Sequence, residues 1–116
     1  MTPRPSAVAE STEDRIFNAL ASPVRRKVLG LLRDNGPTPV QDLADHFDMA
    51  RPSLSEHLRA LREAGLVSER KEGRQRFYRL EAVPLAELQD WLHPYERFWR
   101  ERLNAFGDVL DQMEDE

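Results

Sequence analysis

Basic side chains that could bind phosphate or nucleic-acid bases are concentrated in the middle of this 116-residue chain. Residues 51–80 contain eight Lys or Arg and four Glu, a net charge of +4, whereas residues 1–50 carry a net −1 and residues 81–116 a net −7. Most of the eight are Arg, whose planar guanidinium suits both phosphate oxygens and guanine edges. Since the local field governs binding, the overall charge of −4 does not exclude a polyanionic partner. Charge alone also allows a solvated charged face.

Few other side chains have the types and spacing that catalysis or metal binding requires. Cys is absent, which excludes disulfides, thiolate metal sites and a Cys nucleophile. The three His residues are scattered, and the sequence has neither a Gly-rich phosphate loop nor a nucleophile–base pair. His93 and Glu96 have the spacing of metal ligands, but Pro94 lies between them and two ligands per chain make a poor site. We therefore expect no enzyme activity, no cofactor and no metal.

The length of the chain suits one domain and leaves no room for an additional catalytic module. Residues 1–11 are rich in Pro, Ser and Ala and are predicted to be a flexible arm. They contain no signal-peptide core, and no apolar run approaches the roughly 20 residues of a membrane span. We expect a soluble, cytoplasmic protein that has no membrane partner.

Apolar residues at helical spacing predict four helices before residue 66. The first follows the N-terminal arm, and the second begins with Ser22 as its N-cap. A capping box formed by Thr38 and Gln41 is predicted to begin the short third helix. The fourth helix spans about residues 51–64 and ends at Gly65. The third and fourth helices are joined by about three residues, which is typical of a helix-turn-helix unit, and the fourth is the candidate reader helix.

The segment after Gly65 changes from helical to strand character. Residues 66–71 and 75–80 flank a short loop in which Gly73 permits the positive φ of a hairpin turn. A basic hairpin directly after a reader helix, here about residues 66–80, is the wing of a winged helix-turn-helix. We therefore predict a mainly α fold with a small β-hairpin, in which residues 12–83 form the DNA-binding core.

The last segment, residues 84–116, carries a near-heptad stripe of large apolar residues followed by an acidic tail. Such a stripe must be buried, and we predict that it forms a dimerisation helix. Pro94 interrupts the pattern and predicts a kink or two abutting helices. Trp91, Tyr95, Phe98 and Trp99 within the stripe have two interpretations, the core of a dimer or a pocket for an apolar effector.

Several of these segments together resemble the ArsR-type winged-helix transcriptional regulators of bacteria. The resemblance rests on residues 19–26 (ALASPVRR), 42–47 (DLADHF) and above all 51–61 (RPSLSEHLRAL), followed by 64–67 (AGLV) and 77–80 (FYRL). It covers about residues 15–81 without a gap. Residues 91–99 look like one branch of the family, whose members generally lack the metal ligands of the founding members. Where metal-sensing members have Cys-x-Cys on the third helix, this chain has Thr38-Pro39-Val40-Gln41.

The resemblance implies a homodimer that represses promoters and releases DNA when a signal arrives, while the sequence names no small-molecule or protein effector. It also implies dimerisation through the first and last helices. The residues predicted at the interface are Ile16, Phe17, Leu20, Leu88, Trp91, Leu92, Tyr95, Phe98, Trp99, Leu103, Phe106 and Leu110.

Double-stranded DNA is the predicted partner, with the reader helix in the major groove and the wing on the backbone or minor groove. Leu54, Leu58 and Leu61 face inward, so the residues around them face DNA. His57 is as suited to packing as to contact. The predicted DNA-binding residues are Gln41, Arg51, Ser53, Ser55, Glu56, His57, Arg59, Arg70, Lys71, Arg74, Gln75 and Arg76.

Two alternatives to this function are left open. The acidic pI of 5.4 and Glu56 on the reader helix suit a winged-helix module that binds proteins instead of DNA. A regulator that responds to a metal through a non-standard Asp, His and Glu site is the other alternative.

Overall fold

Residues 11–114 are described by a computed structural model of the chain. The predicted flexible arm, residues 1–11, lies outside the described residues except for Ser11, the N-cap of the first helix. Helix α1 (Thr12–Leu20) begins where the Ser11 hydroxyl accepts a hydrogen bond from the Asp14 amide at 3.1 Å. Helix α2 (Pro23–Asn35) has Ser22 as its N-cap, as predicted. Its C-cap is Gly36, whose φ of 75° suits glycine.

The structure shows that the predicted capping box is wrong. Thr38–Pro39 forms a short strand, β1, in which the Thr38 hydroxyl donates to the Gly36 carbonyl oxygen at 2.8 Å. Helix α3 (Val40–Ala44) therefore begins after Pro39, which makes no side-chain cap, and it is a single turn long. Thr38 cannot cap the helix because its backbone is held in the sheet opposite Tyr78.

The reader helix and the wing lie close to their predicted positions. Helix α4 (Arg51–Glu63) begins after Ala50, which makes no side-chain cap. Strands β2 (Val67–Glu72) and β3 (Gln75–Leu80) form the antiparallel hairpin, with Gly73 at a φ of 60° in the turn. The hairpin gains a third strand that the sequence did not predict, because β1 pairs with β3 and gives the order β1-β3-β2. The predicted mainly α fold with a small β element is confirmed.

The described residues up to Leu85 form one compact unit, whose core lies between the helices and the sheet. The apolar faces of α1, α2, α3 and α4 supply most of it, with Leu66 and Val67 at the start of the wing. The largest fully buried side chains are Ile16, Val28, Leu32, Leu43, Leu54, Leu58, Leu61 and Leu66. This burial fixes the side of α4 that faces solvent.

A second unit begins at Ala86 and consists of one long helix. After a 3-10 turn at Val83–Leu85, helix α5 runs from Ala86 to Glu114 and contains Pro94. The prediction of two abutting helices at Pro94 is therefore wrong. Proline removes one backbone donor from a 29-residue helix, and the hydrogen bonds on both sides suffice to continue it. Within residues 11–114, none of the helices combines the length and the apolar character that a membrane span requires.

Candidate nucleic-acid interface

Helix α4 has one buried face and one polar face. Leu54, Leu58 and Leu61 are at most 1% exposed, so the helix is fixed against the core along this stripe. The residues between these leucines are exposed, among them Arg51, Ser53, Ser55, Glu56 and Arg59. All five were predicted to contact DNA, and each is accessible to a partner in the single chain.

A groove of about 210 Å³ brings residues from three elements together. Gln41 comes from α3, Arg51 from the first turn of α4, and Arg74, Gln75 and Arg76 from the turn and second strand of the wing. These five residues were predicted separately as DNA contacts, and the fold makes them neighbours. The groove therefore joins the reader helix to the wing in one basic and amide-rich surface.

Two of the groove's arginines have no carboxylate partner within the part of the chain that the structure describes. Arg51 and Arg74 are exposed and form no ion pair there, and the same is true of Lys71 in the wing. An unpaired guanidinium can bind a phosphate oxygen without first breaking an internal ion pair. Arg51 and Arg74 are thus the groove's strongest candidates for anion binding.

The other arginines of the predicted interface are paired within the chain. Arg59 Nε lies 3.0 Å from Glu63 Oε1, and Arg70 forms an ion pair with Glu72. The side chains of both arginines are more than 60% exposed. Exposed pairs of this kind contribute about 0–1 kcal/mol, so a phosphate could replace the carboxylate at little cost.

Glu69 connects the reader helix to the wing, and sequence reasoning did not single it out. Its carboxylate lies 2.6 Å from Arg62 Nη1, accepts a hydrogen bond from the Tyr78 hydroxyl at 3.1 Å, and lies 3.6 Å from Arg76 Nε. The Glu69 side chain is only 19% exposed. Burial, and after it the Glu69 carboxylate, raise the pKa of Tyr78. The one available signal was strand pairing, because Glu69 stands directly opposite Tyr78 in the hairpin.

His57 is held against α2. Its Nδ1 accepts a hydrogen bond from Arg25 Nε at 3.2 Å, and Arg25 Nη1 also donates to the Asn18 carbonyl oxygen at 3.0 Å. His57 is half-buried, unlike its neighbours Ser55 and Glu56. The sequence left packing and DNA contact open for His57. The hydrogen bond from Arg25 supports a packing role.

The two basic residues of β2 point to opposite faces of the hairpin. Lys71 stands opposite Arg76, which lines the groove, whereas Arg70 stands opposite Phe77. Arg70 lines a different depression, of about 250 Å³, together with Phe77 and Arg79. The fold therefore separates Arg70 from the groove, because side chains alternate across a strand.

The predicted dimer residues differ in accessibility. Ile16 is 0% exposed and belongs to the core of the chain, whereas Phe17 and Leu20 keep part of their surface. On α5, Leu88 and Leu92 are half-buried. The other residues of α5 that were predicted at the interface are exposed: Trp91, Tyr95, Phe98, Trp99, Leu103, Phe106 and Leu110. Val109 and Met113, which were not predicted there, are exposed too.

No group of three or more His, Asp or Glu side chains that could hold a metal ion occurs within residues 11–114. His93 is exposed on α5 and Glu96 is half-buried.

Comparisons with known proteins place these features in a wider group. The pattern of the bacterial regulatory proteins of the arsR family matches residues 22–69, from the N-cap of α2 into β2. The HTH-type transcriptional regulator Rv2034 of Mycobacterium tuberculosis is 36% identical over 103 residues, which cover 89% of this chain and 92% of that protein. The similarity therefore extends beyond the helix-turn-helix.

Two further relatives agree with this match. The transcriptional repressor SdpR of Bacillus subtilis is 34% identical over 79 residues, covering 68% of this chain and 87% of that protein. The crystal structure of an ArsR family transcriptional regulator aligns with a TM-score of 0.69 at 37% identity, over 86% of this chain and 97% of the other. The similarity in sequence and the similarity in structure thus point to the same group of proteins.

Proposed function

From the premise that this chain belongs to the bacterial ArsR family of DNA-binding transcriptional regulators, we propose that it is a homodimeric repressor that reads a near-palindromic operator. The observation that carries the proposal is the groove in which Gln41, Arg51 and the wing turn meet. Helix α4 would enter the major groove with its N-terminal turn on the base edges, and the wing would lie along the backbone or minor groove.

The charge arrangement supports different roles for the two unpaired arginines. Arg51 lies in the first turn of α4, where reader helices reach base edges, and its fork suits guanine. Arg74 lies in the exposed wing turn, where it would bind phosphate. Glu56 is exposed in the middle of the helix. Its carboxylate would repel phosphate and accept a hydrogen bond from the cytosine amino group, so it would contribute to operator choice.

The apolar stripe of α5 supports the homodimer. A 29-residue helix is about 43 Å long and presents large exposed aromatic side chains, among them Trp91, Phe98 and Trp99, at 44–51% exposure. An exposed apolar stripe of this extent marks an interaction surface. The α5 helix of a second copy carries the same heptad pattern and would bury the stripe. A dyad would then place two reader helices in major grooves about 10 base pairs apart.

Repression is proposed because the Bacillus subtilis relative is named a transcriptional repressor. Release of the operator would follow binding of an effector.

The experiment that tests the function is fluorescence anisotropy on a duplex from the protein's own upstream region, against scrambled DNA, over a salt series. We expect preference for the upstream duplex and a steep negative salt slope. Arg74→Gln should weaken binding to both duplexes and reduce the slope by about 0.9 per chain. Arg51→Gln should reduce the preference itself, by about 1–3 kcal/mol for a bidentate base contact.

Arg33→Gln is the matched control, because it removes the same charge from an arginine that pairs with Asp34 and lines no part of the groove. It should leave both binding constants nearly unchanged. Equal, weak binding to every duplex, including ligands recovered from a random-sequence selection, would contradict the proposal and favour the protein-binding module.

A further inference from the structure

A cavity of about 410 Å³ lies between α1, α2 and α4. It shares no lining residue with the groove between Gln41, Arg51 and the wing turn. Arg15 and Asn18 line it from α1 and Arg25 from α2, while small side chains, including Ala60 of α4, form its apolar part. We propose that this cavity binds a small organic carboxylate, and that its occupancy changes how α4 is held.

The cavity has positive charge available for a ligand. Arg15 has no carboxylate partner among residues 11–114. Arg25 uses Nε and Nη1 in hydrogen bonds to His57 and Asn18, which leaves the Nη2 group able to donate. Glu63 also lines the cavity, but Arg59 pairs with its carboxylate at 3.0 Å. With Arg15 and Arg25 against one carboxylate, the lining keeps a net charge of +1.

The shape and polarity of the lining select the class of ligand. A guanidinium binds a carboxylate through two parallel N–H···O bonds. Ala19, Ala60 and Ala64 line the same space and offer apolar contact but no hydrogen bonds from their side chains. A bare inorganic anion would leave this alanine surface uncovered, whereas the hydrocarbon part of an organic acid would cover it.

The cavity and the predicted dimer surface of α1 lie on different sides of that helix. Successive residues of an α-helix are about 100° apart, which puts Arg15 and Asn18 on the side opposite Phe17 and Leu20. The cavity therefore does not use the side of α1 that carries Phe17 and Leu20.

Arg25 connects the cavity to the middle of the reader helix. Arg25 lines the cavity and donates to His57 Nδ1 at 3.2 Å, and His57 belongs to α4. A carboxylate that draws the Arg25 guanidinium toward itself competes with His57 for this donor. Ala60 and Ala64, which line the cavity, also belong to α4 or its C-cap. This regulatory step, unlike the binding itself, rests on the proposed DNA-binding function.

Binding can be tested on the full chain without DNA by amide NMR titration at constant ionic strength, with sodium benzoate as the probe. We expect saturable shifts confined to α1, the start of α2 and the second half of α4, with a dissociation constant on the order of 1 mM. Benzamide, which has the same shape without the charge, and inorganic phosphate, which has charge without the ring, should bind at least about tenfold more weakly.

Variants separate the cavity from non-specific anion binding. Arg15→Gln should weaken benzoate binding by about tenfold, whereas Arg33→Gln should not change it, since Arg33 lines no part of this cavity. Absence of saturable shifts, shifts that Arg15→Gln leaves unchanged, or benzamide or phosphate binding as tightly as benzoate would each overturn the proposal.

The regulatory step is tested by the ratio of operator dissociation constants measured with and without saturating benzoate. The ratio should differ from 1 in the wild type and return to about 1 in His57→Ala, whatever that variant does to the affinity without benzoate. A ratio of 1 in the wild type, or one that His57→Ala preserves, overturns the route through Arg25. If the chain binds no operator, the NMR titration still decides the binding site, so the two proposals fail separately.

Discussion

Glu69 links several basic residues of the candidate DNA-binding surface. It contacts Arg62 of α4 and both Tyr78 and Arg76 of β3, so it joins the reader helix to the wing. It also neutralises two arginines that would otherwise add sequence-independent attraction to phosphate. We therefore expect the Glu69 carboxylate to limit non-specific DNA binding.

We predict that Glu69→Gln increases affinity for scrambled DNA and makes the salt dependence steeper, because Arg62 and Arg76 are released for phosphate contacts. Each released arginine can add up to about 0.9 per chain to the slope. Preference for the operator should fall, since only the non-specific component grows. Anisotropy titrations over a salt series measure both quantities.

Asp34→Asn is the control for this variant, because it removes one negative charge from a pair, Arg33–Asp34, that does not line the groove. The role assigned to Glu69 is wrong if both variants change scrambled-DNA affinity to the same extent.

The wing depends on the backbone freedom of Gly73. Its φ is 60°, and a Cβ built there meets no atom within 4 Å, so a substitution is opposed by backbone conformation alone. We predict that Gly73→Ala lowers the free energy of unfolding by about 1 kcal/mol. Urea denaturation followed by circular dichroism measures the change.

Gly30→Ala, in the same compact unit, is expected to change the free energy of unfolding in the opposite direction. Gly30 lies inside α2, and a Cβ there would meet Arg33 at 3.7 Å, an ordinary contact. Alanine should raise the free energy of unfolding by about 0.5–1 kcal/mol. If Gly73→Ala proves as stable as the wild type while Gly30→Ala behaves as stated, the turn does not need its positive φ.

The base of the sheet contains a pH-dependent link. Hydrogen bonds from Arg79 and then Ser68 hold the pKa of Glu81 below its ordinary value of 4.5. A lowered pKa in the folded state means that the charged carboxylate stabilises the fold above about pH 4.5, and that this contribution disappears as the pH falls through the folded-state pKa.

We therefore predict that Glu81→Gln is less stable than the wild type at pH 6 and that the difference shrinks as the pH falls below 4.5 and the carboxylate is protonated. Thermal unfolding at a series of pH values measures it. A difference that does not change with pH on the acidic side of 4.5, down to the acid unfolding of the protein, would show that the Glu81 charge plays no part.

At the scale of the whole molecule, the proposed homodimer would depend on the exposed stripe of α5. Trp99 is 50% exposed in the single chain and lies near the centre of the helix. We predict that Trp99→Ala weakens dimerisation by a few kcal/mol, because truncating an aromatic side chain in a packed interface removes contacts that nothing replaces. Analytical ultracentrifugation from nanomolar to micromolar concentration measures the change.

Arg100→Ala is the comparison for this variant, since Arg100 is the exposed polar neighbour of Trp99 and lies outside the apolar stripe. It should leave the dimerisation constant nearly unchanged. A Trp99→Ala variant that remains dimeric at nanomolar concentration would place the interface elsewhere.

The sequence by itself determined the helices α1, α2 and α4, the wing and the family. These features depend on signals a few residues apart: Ser22 as a cap, Gly65 and Gly73 as turns, and leucines at helical spacing. The exposed polar face of α4 followed from the same leucines. Local signals suffice here because capping, turn conformation and amphipathic burial each involve neighbouring residues.

Only the tertiary structure decided which of the predicted residues come together. Thr38 became a strand residue because it pairs with Tyr78, which lies 40 positions further along the chain. In the same way, Glu69 gained partners on two elements, and Arg70 was separated from the groove. Such contacts depend on strand register and on the packing of distant elements, and no local pattern in the sequence encodes either of them.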